Sequence, residues 1–155
     1  LEKKGFISIE SGASRGISVI NNDSNIEPDA YPIVGLVAAG SPTLATENIE
    51  KFVNCSKSIF NKKFDYFLRV KGLSMKDAGI MEDDLIAVHK TSEVRNGDIV
   101  IARYDDEVTV KFFEKLSDKK IRLIPANSDF KNLEINLEET ELHIEGKSVG
   151  LIREN

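Results

Sequence analysis

The chain has 155 residues, with 21 Lys and Arg against 26 Asp and Glu, and a formal net charge of −5. That length suits one ordinary domain with part of another attached and can bury a sizeable core, while the acidic balance argues against a whole-surface nucleic-acid binder. A single cysteine, Cys55, excludes an intramolecular disulfide, and no apolar run reaches membrane-spanning length or resembles a signal peptide, which fits a reducing cytoplasm and no membrane partner.

In chain order, Leu1 to Lys4 followed by Gly5 reads as the last turn of a helix with a glycine cap. The chain begins at Leu1 and not at methionine, so these residues are expected to be the remainder of something longer. FISIE (6–10) and GISVI (16–20) alternate apolar and polar positions around a turn, which predicts a β-hairpin. Residues 21–30, NNDSNIEPDA, have little to bury and many turn formers, and read as a linker.

From residue 31 onward short apolar stretches dominate: 31–38, 64–70, 84–90, 98–104, 107–113, 120–126, 133–137 and 141–146. Turn signals such as Asn96-Gly97 and Asp105-Asp106 separate them. This spacing predicts a mainly antiparallel β domain over 31–155, with room for helical turns only at 58–63 and 74–79. Asp105-Asp106 should pair 98–104 with 107–113 as a hairpin.

Candidate chemistry is sparse. His89 and His143 lack ligand-like spacing with Cys55 or the acids, so no metal is expected, and no glycine-rich phosphate motif implies a cofactor. Cys55 reads as a packing residue, and Glu82-Asp83-Asp84 as a solvated turn. Ala38-Ala39-Gly40 combines three residues of minimal bulk, which suits either a strand-end bend or a segment that other groups approach closely.

Ser74, in KGLSMKDAGI (71–80), falls where a strand gives way to a short helix. It is either a nucleophile presented beside free backbone N–H groups or a helix N-cap with Asp77 in a capping box. Lys111 interrupts the otherwise apolar strand EVTVKFF (107–113). It is either a buried amine that loses its proton easily or a lysine that snorkels to water.

Three stretches together, VAAG (37–40), GLSMKD (72–77) and DDEVTVKFF (105–113), resemble the LexA family of self-cleaving transcriptional repressors, relatives of the UmuD-type mutagenesis proteins and phage repressors. The likeness extends through 79–111, IPANSDF (124–130) and IEGKSVGLIR (144–153), while SGASRGI (11–17) resembles the wing of that family's DNA-binding domain. The resemblance implies a LexA/signal-peptidase-like antiparallel β domain with short helical turns, preceded by the β-hairpin remnant of a winged helix. Residues 1–20 would then be the end of the recognition helix and the wing, 21–30 the linker, and 31–155 the peptidase and dimerisation domain.

It also implies roles. Ser74 would be the nucleophile, Lys111 the general base, Ala39-Gly40 the bond cut within the same chain, and Val34 and Val37 apolar anchors for the cleaved segment. Arg15, at the wing tip, would touch phosphate. The implied partners are a second copy of the chain, bound near VGLIREN (149–155), a RecA filament on single-stranded DNA as activator, and operator DNA through the mostly absent N-terminal domain. Two alternatives remain at this stage: a UmuD-like self-processing protein, distinguished by the wing, and a non-enzymatic β-rich dimerisation module, in which Ser74 is only a cap.

Overall fold

Strand-length apolar runs separated by tight turns give a single sheet in the computed structural model, which describes residues 29–35 and 42–155. The strands are β1 (Ala30–Val34), β2 (Ile49–Asn54), β3 (Tyr66–Arg69), β4 (Leu85–His89), β5 (Ile99–Tyr104), β6 (Glu107–Lys115), β7 (Lys120–Ile124), β8 (Leu133–Asn136) and β9 (Leu142–Ile152). They lie in the order β2-β1-β3-β4-β9-β5-β6-β7-β8. The hairpin expected over 6–20, with Arg15, and most of the linker lie outside the described residues, as do Val37, Ala39 and Gly40.

The mainly β, mainly antiparallel architecture is borne out, with one exception: β1 and β3 pair in parallel. The sheet is therefore mixed. β2 went unpredicted because IEKFVN does not alternate cleanly, and as an edge strand it leaves Glu50, Lys51 and Phe52 exposed. Among the described residues the helical content is two 3₁₀ turns, Thr46–Asn48 and Lys76–Ala78; only the second falls within an expected window, and residues 58–63 form bends and turns instead.

The hairpin predicted between β5 and β6 forms as expected. Tyr104 pairs with Glu107 across a two-residue loop, and Asp105 and Asp106 both take positive φ, 47° and 63°. Two successive left-handed residues match the right-handed twist of the flanking strands, and aspartate tolerates that conformation better than most side chains. The tight turn fixes the register that sets Lys111 opposite Val100.

β9 joins the two halves of the sheet. Its first part pairs with β5 and its last part with β4, and a register shift interrupts each ladder. Such bulges bend a strand sharply and let one long element serve two differently oriented partners. Gly146 sits in this crossing, where a β-carbon would come within 2.5 Å of the His89 carbonyl oxygen.

The core cluster nearest the site gathers Val34, Tyr66, Leu68, Val70, Met75, Ile80, Ile86, Val88 and Ile101, all buried. Met75 belongs to the same short loop as Ser74. Burying a methionine side chain contributes on the order of 2 kcal/mol, so the residue after the serine anchors that loop to the sheet.

Candidate active site

β3 ends at Arg69, and the chain turns at Gly72, whose φ of +77° lies in the region that glycine adopts without steric cost. Ser74 follows, half-buried, before the 3₁₀ turn Lys76–Ala78. The cap of that turn is Met75, with no side-chain cap hydrogen bond, so Ser74 is not an N-cap. Its hydroxyl instead accepts a hydrogen bond from Lys111 Nζ at 3.0 Å.

Three hydrogen bonds tie this loop to the segment after β7. The Ala126 N–H donates to the Ser74 carbonyl at 2.8 Å, the Asp77 N–H donates to the Ala126 carbonyl at 2.7 Å, and Asn127 Nδ2 donates to the Leu73 carbonyl at 2.8 Å. Asn127 is itself buried. The backbone N–H groups of Ser74 and Met75 donate to no group among the described residues, which leaves two adjacent donors beside the hydroxyl.

Lys111 is 7% exposed, and of the two sequence readings the buried amine holds, not the snorkelling one. Burial alone pushes its pKa below the ordinary lysine value. An ammonium so placed loses hydration, and the groups that meet Nζ, the hydroxyls of Ser74 and Thr109, carry no compensating charge. The neutral amine gains a lone pair able to accept the Ser74 proton.

A cleft of about 300 Å³ opens beside the pair, with Gly35, Val70, Met75, Thr109 and Val110 in its walls. Gly35 directly precedes residues 36–41, so the strand leading toward Ala39-Gly40 ends at the cleft wall. Val34 is fully buried in the cluster that holds Met75.

Sequence reasoning missed Thr109 and Asn127 as parts of this site. Thr109 was legible: it stands two positions before Lys111, and period-two alternation puts both side chains on one face. Asn127 joins the site only through the packing of β7's exit against the serine loop, which no local pattern reports.

The solvated-turn reading of Glu82-Asp83-Asp84 is corrected at its last member. Asp84 is 2% exposed and accepts two hydrogen bonds from Arg153, each 2.8 Å, besides one from the Met81 N–H. Cys55 packs against the cluster around Phe64 and Phe67, and burial raises its thiol pKa, which disfavours the thiolate. Among the described residues no group of three His, Cys, Asp or Glu could hold a metal ion, and no helix is long and apolar enough to cross a membrane.

Residues 32–149 match the Peptidase S24-like family. The chain is 54% identical over 155 residues to a LexA repressor of Marinomonas sp. (strain MWYL1), covering 98% of this chain and 74% of that protein. It is 51% identical to a LexA repressor of Cellvibrio japonicus (strain Ueda107) and 50% identical to one of Hahella chejuensis (strain KCTC 2396), with 99% of this chain covered in each case and 74% and 75% of the relative. With that likeness along nearly its whole length, and a buried lysine set against a serine within the matched domain, the chain belongs to the LexA family of SOS-response repressors.

Proposed function

We propose that this chain is a repressor that inactivates itself by hydrolysing its own Ala39–Gly40 peptide bond, with Ser74 as nucleophile and Lys111 as general base. The observation that carries the reading is the 3.0 Å contact between Lys111 Nζ and Ser74 Oγ, made by an amine removed from water.

Neutral Lys111 takes the Ser74 proton as Oγ attacks the Ala39 carbonyl carbon. The negative charge that develops on the carbonyl oxygen is met by the Ser74 and Met75 N–H groups. Collapse breaks the bond to Gly40 nitrogen, which receives the proton held by Lys111 and leaves as an amine. Water then attacks the acyl ester, again giving a proton to Lys111, and releases Ala39 as a carboxylic acid that ionises; the same proton returns to Ser74 Oγ. The small side chains of Ala39 and Gly40 let the backbone lie against the serine, while Val34 and Val37 hold the approaching strand.

The reaction is regulated by access. A docked cleavage segment excludes water from Lys111 and favours its neutral form, so substrate binding completes the catalyst. A partner that binds the docked conformer preferentially accelerates cleavage by raising its population, and family membership supports a RecA filament on single-stranded DNA in that part. The chain acts as a cytoplasmic homodimer. In support, the edge of β9 facing away from β4 has no ladder partner beyond Lys147 among the described residues, which leaves 148–152 open to a second copy. Operator DNA is reached through the N-terminal domain, of which residues 1–20 form the end, with Arg15 on phosphate, and 21–30 are the linker.

Incubation of the purified chain with intact-mass readout tests the reading. Fragments ending at Ala39 and beginning at Gly40, absent in Ser74→Ala and Lys111→Ala, are expected. No cleavage at any pH, even with a RecA filament on single-stranded DNA, would leave a non-enzymatic dimerisation module as the better account.

A further inference from the structure

Residues 36–41, which contain the bond assigned to cleavage, leave the described fold at Gly35 and return to it at Pro42. Both ends meet the same residue. The Gly35 N–H donates to the backbone carbonyl of Asn48 at 2.8 Å. The side chain of Asn48 reaches the other end, Nδ2 donating to the Pro42 carbonyl at 3.0 Å and, more weakly, to the Thr43 carbonyl at 3.4 Å.

The setting of Asn48 makes this arrangement unusual for its residue type. It ends the 3₁₀ turn Thr46–Asn48, whose other two members are exposed, yet Asn48 itself is 4% exposed. Burying a side-chain amide costs about 1–3 kcal/mol unless its hydrogen bonds are replaced. Here they are replaced by carbonyls at the point where the chain re-enters the fold. The Ala45 N–H also donates to the Pro42 carbonyl, and the Asn48 N–H to the Ala45 carbonyl, so residues 42–48 form one hydrogen-bonded unit.

We propose that Asn48 is a positioning residue for self-cleavage: it clamps the two ends of the 36–41 segment and thereby sets where the scissile carbonyl meets Ser74. The inference rests on the Ala39–Gly40 reading above. In an intramolecular reaction the rate depends on how often the carbonyl visits attack geometry, and a misplacement of about 1 Å can cost on the order of a hundredfold. Asn48 touches none of the reacting atoms. Its removal therefore changes delivery of the carbonyl and leaves the serine and lysine as they are.

The test compares two reactions of the same full chain. One is first-order self-cleavage, followed by intact mass. The other is bimolecular labelling of Ser74 by diisopropyl fluorophosphate, which needs the activated hydroxyl but not the chain's own segment. In Asn48→Ala, cleavage should slow about tenfold or more while the labelling rate stays within about twofold of the parent. Asn48→Asp preserves volume but turns acceptors toward the Pro42 and Thr43 carbonyls, so it should slow cleavage at least as much; it decides the matter if the alanine variant fails to fold. Cleavage within about twofold of the parent, or a parallel loss of cleavage and labelling, would overturn the clamp. A parent chain that labels at Ser74 but never cleaves would overturn the underlying reading, and the clamp with it.

Discussion

Two ionisable side chains, Asp84 and Lys111, are buried in this domain, and among the described residues one has a counter-charge that the other lacks. Asp84 is met by the Arg153 guanidinium, whose hydrogen bonds hold its carboxyl below the usual carboxylate range. Among the described residues Lys111 is met only by hydroxyls, and burial pushes its amine below the usual lysine range. Both pKa values fall, with opposite meaning. The lowered value keeps Asp84 charged and makes it a structural tie, since Arg153 also donates to the Gly79 carbonyl and so joins the end of β9 to the turn beyond Ser74. The same direction of shift moves Lys111 toward neutrality and suits it to the proposed role of base. The lesson is that burial alone does not decide the role of an ionisable group; the presence or absence of a counter-charge does.

The comparison breaks most completely at Lys111→Arg. Guanidinium stays protonated at any accessible pH, so the variant keeps a long cationic donor near Ser74 but cannot take its proton. Self-cleavage should fall by at least about a thousandfold by intact mass, a loss comparable to Ser74→Ala. Placing an ineradicable charge in that pocket should also lower Tm.

Removing the counter-charge on the other side comes next. Asp84→Ala leaves Arg153 without its carboxylate and the Met81 N–H without its acceptor. Tm should fall by about 5 °C or more in a thermal melt at pH 7. Because the folded pKa of Asp84 lies below its unfolded value, the stability it contributes is full above the ordinary carboxylate range and is lost as pH falls through the folded value. The difference in Tm between parent and Asp84→Ala should therefore shrink on acidification below about pH 4.

Lys111 gives a slope of the same sign in a higher pH window, where it reflects relief of a penalty and not a gain of stabilisation. Its folded pKa lies below its unfolded value, so the unfolded chain binds more protons between the two and stability rises with pH across that window. Lys111→Met should be more stable than the parent near neutral pH, by roughly 1 kcal/mol in urea unfolding, with the advantage shrinking as pH approaches the ordinary lysine value. The smallest effect belongs to Thr109→Val. Loss of the hydroxyl that accepts from Nζ destabilises the ammonium further, so the pH midpoint of cleavage should move down while the maximal rate falls only a few-fold.

Much of this was legible in the sequence, for local reasons. The Asp105-Asp106 turn announced the hairpin, and the apolar strand around Lys111 offered the buried amine as one of two readings, because turn chemistry and two-sided burial leave marks on neighbouring residues. Ser74 stood out through Gly72 and the small turn that follows, although its cap alternative fell only when Met75 was found at the cap position. What stayed hidden depends on contacts distant in sequence. Asp84 reads as one of three turn acids until Arg153, at the far end of the chain, arrives beside it. Asn127 and Asn48 are ordinary polar residues in loop-rich stretches, distinguished only by the carbonyls they reach. β2 and the parallel pairing of β1 with β3 were missed because an exposed edge strand lacks alternation and pairing direction has no local signature.

The most direct test of the claim that burial without a counter-charge makes Lys111 the base is the pH–rate profile of self-cleavage in the parent chain. The first-order rate should rise about tenfold per pH unit through the neutral range and level off below 10.5, the ordinary value for lysine, as the amine becomes fully neutral. A rate independent of pH, or one that keeps rising beyond that value as for an unperturbed lysine or simple hydroxide attack, would contradict it.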